Sequence, residues 1–458
     1  MSETYGWTGK ILRVDLTSGE MSNIDTLRYV PKYIGGIGVA YRIAWEEIPR
    51  GTKPFDPENR LIMMVGPLTG TASPWSGRAE IVTIGPQCDP EQLVCSGSGG
   101  WWPAKLKWNG YDGIVFQGKS PTPVYLLIRD GVPELLSAEY LWGLGALDTY
   151  KQLRDMYGKD VDAYSIGPAG ENLVRIASIV RNTGHGAGQG GTGAVMGSKN
   201  LKSVCIVGGK NAVKVARPQE VLDIRAQVQP SRVKYPLQTY DMHEDPIQSS
   251  YIKAYNNAPY AWRETYCSNS CAGGCPTHEH KNIPGVLHPG VNTGLIFCTT
   301  IHFITYQNEN RRPLGFRGGF EMATLCDQLG MNHNEFVLGF IPWMIMAKEL
   351  GIDIEKHLGF EFDHRSPQCW ERMLNMTAYR QGFGSLMAEG LHRTIKTLGQ
   401  EKYGDPIYDG LRWPDFINFN RHLPIDCLGG WGYTSRELLY ELPLPWQIIH
   451  GLKWLIDT

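Results

Sequence analysis

Three cysteines stand four residues apart in a short glycine-interrupted loop, Cys267-Ser268-Asn269-Ser270-Cys271-Ala272-Gly273-Gly274-Cys275. Thiolates at that density serve metals. An iron–sulfur cubane takes four thiolates, commonly several from one loop and the last from far away in the chain. Zinc is the main chemical rival, but it more usually shows two CxxC-like pairs or Cys/His pairs. The plain alternative is three structural cysteines, since a free thiol often behaves as a small core residue.

Positioning such a loop needs a large protein, and 458 residues exceed what one hydrophobic core normally serves. With 42% hydrophobic and 20% charged residues the chain has an ordinary globular composition, which argues against disorder. A formal net charge of -2, with no basic run, argues against binding nucleic acid. No basic segment followed by an apolar one opens the chain, and no window sustains the ~18 apolar residues of a membrane helix. These features read as a soluble cytoplasmic protein. Ten cysteines in a chain of this length fall short of disulfide density, so a reducing compartment with a metal centre explains them better. Fourteen Trp and 54 Gly suit close backbone approaches and broad apolar walls around a bulky cofactor.

The fold class expected is α+β. Lys10 to Leu16 alternates as a half-buried strand, and Thr17-Ser18-Gly19-Glu20 turns it into a hairpin. Tyr29 to Ile48 reads as the first helix. Strands are expected at 61–65, 79–84, 113–117, 124–129, 163–166, 175–180 and 203–207, so residues 1–210 form a β-rich domain with few helices. From Pro218 the pattern turns helical, with apolar residues at i, i+3 and i+4 over 320–329, 334–350 and 370–398. Residues 211–458 are therefore expected to be mainly helical, as one domain or two subdomains, and to carry the cysteine loop. Phe336 to Met346 is too short to span a membrane and reads as a buried core helix.

Four loops hold more glycine than strand connections require: Gly66 to Thr71, Ser96 to Trp102, Gly167 to Asn172, and Gly184 to Gly197. Glycine lets backbone N–H groups approach anions, which suits phosphate or pterin binding, although any one such loop is weak support. None of these loops combines GxGxxG at the head of an amphipathic helix with an acidic residue about 20 positions on, so a Rossmann site does not fit; the GxxxxGK[ST] string GIVFQGKS at 113–120 lies on the strand expected at 113–117 and runs into Pro121 rather than opening a helix, so a P-loop does not fit either. Lys199 and Lys202 follow the last glycine run and could bring ammonium groups to phosphate. For Lys202 a solvated turn is the favoured reading.

Taken together and in order, these loops resemble the first domain of the aldehyde:ferredoxin oxidoreductase family of tungsten enzymes. The matching segments are Gly9 to Leu16, GPLTGT at 66–71, Ser76-Gly77-Arg78, SGGWWPAKLK at 98–107, Gly110-Tyr111-Asp112, GPAGEN at 167–172 and GAVMGSKNLK at 193–202. The resemblance is close to about residue 210 and looser to about 350. It implies a tungsten (or molybdenum) ion held by two molybdopterins, magnesium bridging the pterin phosphates, and a nearby [4Fe-4S] cluster. Arg78, Ser98, Gly99, Gly100, Trp101, Gly188, Gln189, Gly190 and Gly191 would then touch the pterins. Asp327-Gln328-Leu329-Gly330-Met331-Asn332 resembles the family's DxxGL(C/D) turn, so Asp327, Gly330, Met331 and Asn332 join that set, with the carboxylate accepting from pterin N–H groups. A charge on an exposed helix face is the plain alternative for Asp327. Cys267, Cys271 and Cys275 would ligate the cluster.

The departures from the family pattern are specific. The first cysteine spacing is CxxxC where CxxC is frequent, and Gln189 stands where Arg is frequent. A fourth cluster cysteine is expected near the C-terminus, where Cys369 and Cys427 are available. Either Cys427 completes the cluster, or a further segment of this or another chain does. Pro284 to Cys298 lacks the Glu that aldehyde-oxidising members are expected to carry, and its Pro-Gly followed by Cys298 is more similar to the catalytic subunit of class II benzoyl-CoA reductases. On that resemblance Cys298 would ligate the metal directly, leaving little room for an oxo or water ligand. His278-Glu279-His280, three residues past the cysteine loop, could supply protons; an exposed, inert string is the alternative. His288 and His302 are weaker candidates. The reading is reduction of an aryl-CoA ring, with electrons from a separate iron–sulfur subunit or ferredoxin in a hetero-oligomer or homodimer. Aldehyde oxidation and a non-catalytic scaffold subunit are the competing readings.

Overall fold

Strand β1 (Lys10–Asp15) buries Ile11 and Leu12 on opposite faces, so the sheet it belongs to must be covered on both sides. The computed structural model describes residues 4–30, 32–182, 184, 186–234, 262–264, 278–296, 314–349 and 351–398. Its first sheet adds β2 (Met21–Asp25), β3 (Leu61–Val65), β4 (Ala79–Gly85), β5 (Gln92–Ser98) and β6 (Gly113–Gln117) in the order β2-β1-β6-β3-β4-β5. β1 and β6 run parallel and the other neighbours antiparallel. A second sheet orders β7 (Val124–Arg129), β8 (Val132–Ser137), β9 (Val161–Ser165), β10 (Ile179–Arg181), β11 (Gly186–Ala187) and β12 (Leu201–Val207) as β11-β10-β9-β12-β7-β8. Here only β12 and β7 are parallel.

The two sheets share one core. Val14, Met63, Ile81 and Phe116 of the first meet Leu126, Tyr164, Val204 and Ile206 of the second. Five helices intersperse the strands: α1 (Ile37–Glu47), α2 (Trp102–Trp108), α3 (Ala146–Tyr157), α4 (Pro168–Glu171) and α5 (Thr192–Ser198). The outer face of the first sheet is covered by α1 through Val39, Ala40 and Ile43, and that of the second by α3 through Leu153. Cover on both faces explains why all five residues of β3 are buried. The N-terminal half is thus sheet-dominated, as expected, but not poor in helices.

Helices α6 (Pro218–Lys234), α7 (Gly315–Leu329), α8 (Ile341–Glu349), α9 (Ile354–Leu358), α10 (Pro367–Ala378), α11 (Gly384–Met387) and α12 (Leu391–Thr397) make the second half mainly helical. A π-helical turn at Glu335–Phe340 leads into α8, and Phe336, Val337, Phe340, Ile341, Trp343 and Met344 are buried there. That apolar stretch is core, and no helix among the described residues is long and apolar enough to cross a membrane. The continuous helix expected over 370–398 is broken, because Arg380 and Gly382 take left-handed φ values of 51° and 53° after α10. One antiparallel sheet of β13 (Trp262–Glu264), β14 (His278–Pro284) and β15 (Val291–Ile296) also lies in this half, where no strand is expected from the sequence.

The halves are joined by ion pairs rather than by apolar contact alone. Arg175 Nε donates to Glu389 at 2.7 Å and its Nη1 to Glu91 at 2.8 Å, while Arg380 Nη1 holds the other oxygen of Glu389 at 2.7 Å. Burial pushes the Glu389 carboxyl up, but Arg380 and Arg175 outweigh it and hold it below its ordinary value.

Buried charge also organises the sheets, and here the lysines after the last glycine run part from expectation. Lys202 is fully buried, not in a solvated turn, and its ammonium pairs with Glu171 and donates to Leu144 O at 2.7 Å. Lys199 is directed inward as well, donating to Asn59 O at 2.6 Å, Gly118 O at 3.1 Å and Pro57 O at 3.4 Å. Both are committed to protein groups. Asp112 is the fullest case, fully buried beside Lys107 and accepting from Gly9 N at 2.9 Å, Thr8 N at 3.1 Å and Thr26 Oγ1 at 2.8 Å.

Asp112→Ala should lower stability by ~3–5 kcal/mol in urea unfolding, because it strands the Lys107 ammonium in the core, and Lys107→Met in the same chain should restore part of the loss. For Lys199, burial and the neighbouring Arg60 charge push the ammonium down to about 7 from an ordinary 10.5. Between those values the folded protein has shed a proton that the unfolded chain keeps, so stability rises with pH through that window. The stability difference between wild type and Lys199→Met should therefore be level below pH 6.5 and grow from pH 7 to pH 10.

Candidate functional site

The turn Ser98-Gly99-Gly100 leaves β5 and enters α2 with Gly100 at a left-handed φ of 88°. Tyr164 of β9 fixes this turn from below, its hydroxyl donating to Gly99 O at 2.8 Å. The Tyr164 ring stacks on Trp102 with centroids 4.3 Å apart, and Trp102 Nε1 donates to Val204 O at 2.9 Å. Complete burial raises the Tyr164 phenol well above its ordinary pKa, so it stays a neutral hydrogen-bond donor. Ser98 Oγ is buried beside it and makes no hydrogen bond of normal geometry among the described residues. Trp101 stands half exposed at the mouth of the turn, 6.3 Å from Trp108 between ring centroids. Arg78, at the head of β4, is exposed and lies over Gly97, where an added Cβ would come within 2.7 Å of its Nη2.

Arg181, at the end of β10, brings a buried cation to the same place. Its Cδ lies 3.6 Å from where a Cβ on Gly100 would stand, and its Nε donates to Gly184 O at 3.1 Å. Gly184 in turn, with φ of 91°, lies so close to Asp327 that an added Cβ would come within 2.3 Å of Oδ2. Asp327 occupies the last turn of α7, which Gly330 closes in the left-handed conformation. The residue is 7% exposed, so the alternative of a charge on a solvent-facing helix surface does not hold. His333 Nε2 lies 3.0 Å from Asp327 Oδ1.

A second link closes the wall. Asn332 Nδ2 donates to Gln189 Oε1 at 3.2 Å, and Gln189 N donates to Ser96 Oγ of β5 at 3.1 Å. Asn332 N donates to Ile176 O at 3.0 Å, Ser178 N to Gly330 O at 2.8 Å, and Ala177 pairs with Met331. This pairing explains why the strand expected over 175–180 begins only at Ile179: the preceding backbone bonds to the turn after α7 instead. The glycines after Gln189 meet protein, Gly190 against Val94 and Gly191 against Pro86 and Arg175 O, and Gly188 O accepts from Ser178 Oγ at 3.4 Å.

The structure therefore gathers Ser98, Gly99, Gly100, Gln189, Asp327, Gly330, Met331 and Asn332 along one connected wall, with Arg78 and Trp101 toward its exposed side. Cys267, Cys271, Cys275, Cys298, Cys427 and His302 lie outside the described residues. His278, Glu279 and His280 occupy the start of β14, and of their side chains only that of Glu279 is described, with Oε1 3.6 Å from Lys281 Nζ. His288 is exposed on the surface, paired with Glu371. Cys369 is buried in the helical core near Trp370 and Met373, and burial pushes its thiol up to about 11.

Sequence reasoning missed Tyr164, Arg181 and His333. Arg181 carried a usable signal, as a cation three residues before a glycine run. Tyr164 and His333 are placed by tertiary packing and carried none. Chemically the wall offers a buried carboxylate, a buried guanidinium, glycine backbone and flat aromatic surface. A planar ligand with N–H donors and anionic groups, such as a phosphate-bearing pterin, fits that donor and acceptor set. Among the described residues no group of three or more His, Cys, Asp or Glu could hold a metal ion.

Residues 11–208 match the profile of the aldehyde ferredoxin oxidoreductase N-terminal domain, and residues 247–407 that of its domains 2 and 3. The chain is 38% identical over 451 residues to the tungsten-containing aldehyde ferredoxin oxidoreductase of Pyrococcus abyssi, and 30% identical over 452 residues to that of Pyrococcus furiosus. Each alignment covers 88% of this chain and 71% of the relative. Among solved structures it resembles a chain of the active site complex BamBC of benzoyl coenzyme A reductase in complex with 1,5-dienoyl-CoA, with a TM-score of 0.73 and 26% identity. That match covers 87% of this chain and 65% of the other, just under two thirds of its length.

Gly184→Ala should cost ~1–3 kcal/mol in thermal or urea unfolding, since the left-handed backbone is strained and the new methyl displaces the Asp327 carboxylate. Gly188→Ala, where an added Cβ would meet Ser178 Oγ at an ordinary 3.8 Å, should cost markedly less.

Proposed function

The chain belongs to the aldehyde ferredoxin oxidoreductase family of tungsten-containing oxidoreductases, and on that premise we propose that it is the catalytic chain of a low-potential reductase of aromatic acyl-CoA thioesters. The observation that carries this reading is the segment Pro284 to Cys298, which contains no carboxylate and ends in a thiol. The resemblance to a benzoyl coenzyme A reductase chain supports it. A carboxylate does reach this segment, from Glu321 of α7, but it accepts from the backbone N–H groups of Val286, Leu287 and His288. That commitment makes Glu321 a fastener of the loop rather than a base for water.

The reaction adds two electrons and two protons to an aromatic ring held as its CoA thioester. A bis-pterin tungsten centre, when bound, supplies electron transfer at low potential. Asp327, Asn332, Gln189, the Ser98-Gly99-Gly100 turn, Trp101, Arg78 and Gly188 would hold the pterins, while Gly190 and Gly191 pack on Val94 and Pro86 beneath them; magnesium would accompany the cofactor's phosphates. Cys298 would give the metal a protein thiolate. Cys267, Cys271 and Cys275, with Cys427 or a cysteine from elsewhere, would hold a [4Fe-4S] cluster. His278, Glu279 and His280, in β14 three to five residues past Cys275, would supply protons for the ring. A separate iron–sulfur subunit or ferredoxin would deliver electrons, in a cytoplasmic hetero-oligomer or homodimer.

Ferredoxin-linked oxidation of aldehydes to carboxylic acids is the second reading, favoured by the higher identity to the Pyrococcus abyssi enzyme. Anaerobic assay of the holoprotein on benzoyl-CoA and on simple aldehydes separates the two. Reduction of the thioester, with Cys298→Ser lowering both tungsten content and turnover by ~10-fold or more, is expected. Aldehyde turnover that survives Cys298→Ser would establish the second reading instead.

A further inference from the structure

Glu335 stands fully buried at the head of the π-helical turn, three residues after Asn332, and such turns are frequent at functional sites. Burying a carboxyl group is costly unless it is hydrogen-bonded, and the structure answers this one from two directions. Gln87 Nε2 donates to Oε2 at 3.2 Å from the loop after β4, and Leu391 N donates to Oε1 at 3.0 Å from the start of α12. The Leu391 N–H is one of those a helix leaves without an internal partner. One side chain thus ties the sheet-dominated half to two segments of the helical half.

The same loop is gripped a second time from α12. Arg393 donates through Nη1 to Pro86 O at 3.1 Å and to Gln87 O at 3.2 Å, and through Nη2 to Cys88 O at 2.6 Å. The start of this loop is in turn the seat of the last glycine run. A Cβ on Gly191 would come within 2.7 Å of Pro86 Cγ, and one on Gly85 within 2.3 Å of Gly190 O. That run carries Gln189, whose Oε1 accepts from Asn332 Nδ2 at 3.2 Å. The contacts close a circuit: from Asn332 along the chain to Glu335, across to Gln87 and Pro86, on to Gly191 and Gln189, and back to Asn332. We propose that Glu335 is a positioning residue for pterin binding: through Gln87 it holds the Gln189 turn and the Gly330-Met331-Asn332 turn in one fixed relation. The inference rests on the reading that the chain binds a pterin cofactor along that wall. It assigns Glu335 no contact with cofactor or substrate.

The test uses the full chain produced anaerobically in a host that makes the cofactor. Pterin, as its fluorescent oxidised derivative, and tungsten and iron are measured per folded polypeptide, with unfolding temperature recorded in parallel. Glu335→Leu removes both acceptor oxygens and should lower pterin and tungsten by ~10-fold while leaving iron unchanged, the scale on which supporting residues of metal sites act. Glu335→Gln keeps one oxygen for Leu391 N and offers an N–H to Gln87, whose amide can turn its oxygen inward, so it should retain pterin within about twofold. Gln87→Leu should lose pterin as well, and the double variant no more than Glu335→Leu alone, because the two act through one contact. Leu153→Ala, a cavity under α3 on the outer face of the second sheet, should lower the unfolding temperature yet keep pterin within about twofold. Full pterin in Glu335→Leu, a loss in Glu335→Gln as deep as in Glu335→Leu, or an equal loss in Leu153→Ala overturns the inference. If Glu335→Leu does not fold, Gln87→Leu carries the test, and wild-type pterin content there is equally fatal. Wild-type protein without pterin would remove the proposed function itself, whereas pterin-loaded wild type with unaffected variants removes only the role of Glu335.

Discussion

Gly167 and Gly184 allow two stretches of backbone to touch the end of α7 where any side chain would hold them off. A Cβ on Gly167 would come within 2.5 Å of the Gln328 and Leu329 carbonyls, as one on Gly184 would meet Asp327. This seam lets the turn Gly330-Met331-Asn332 lie flush with Ile176, Ala177 and Ser178 and trade hydrogen bonds with them. Once it is closed, the carboxylate of Asp327 lies against Gly184, whose carbonyl accepts from Arg181 Nε, and the amide of Asn332 reaches Gln189, so these groups are placed by backbone rather than by adaptable side chains. Sites held by rigid elements keep their geometry better than sites on free loops. A family-level glycine pattern is thus a statement about how two halves of a protein meet.

The second organising constraint is charge placed where water is absent. Lys105, Lys107, Lys199 and Lys202 are all largely buried, and each is answered differently: by Asp162, by Asp112, by three carbonyls, and by Glu171. Pairs of this kind add little net stability compared with apolar residues of equal size, but leaving one partner alone is costly. Their effect is specificity, because a shifted register would strand a charge. Lysines in the most recognisable motifs of the chain therefore belong to the scaffold, while the wall beside the glycine turns is built from glycine backbone, Arg181 and Asp327.

The sheets were the most legible part of the fold. β3, β4, β6 and β7 carry dense β-branched and aliphatic runs, and the structure has them where those runs lie. β5, QLVCSGS, was not visible, since its glycine and serines have low strand propensity and it is held by pairing with β4 along its whole length. The break after Ala378 was also hidden, because apolar periodicity continues through it and only Arg380 and Gly382 mark the reversal. At the site, residues belonging to motifs were legible and residues recruited by packing were not. Asp327 could be picked out from its turn, whereas His333 comes beside it only once the turn is folded back. The lysines show the opposite failure, since a positive charge after a glycine run invites a phosphate reading that burial overrides.

The pairing of β1 with β6 has a consequence for how the chain leaves the ribosome. β1 forms a hairpin with β2 at once, but its other edge is parallel to β6, and Gly9 is tied to Asp112 across 103 residues. At synthesis rates of ~5–20 residues per second, that edge waits on the order of 5–20 s for its partner to be made. During the wait Ile11, Leu12 and Val14 belong to an unfinished sheet with an open hydrogen-bonding edge. The interval in which this protein is most open to mispairing therefore falls during translation, before any cofactor can be inserted, and its length is written into the distance between the two strands along the chain.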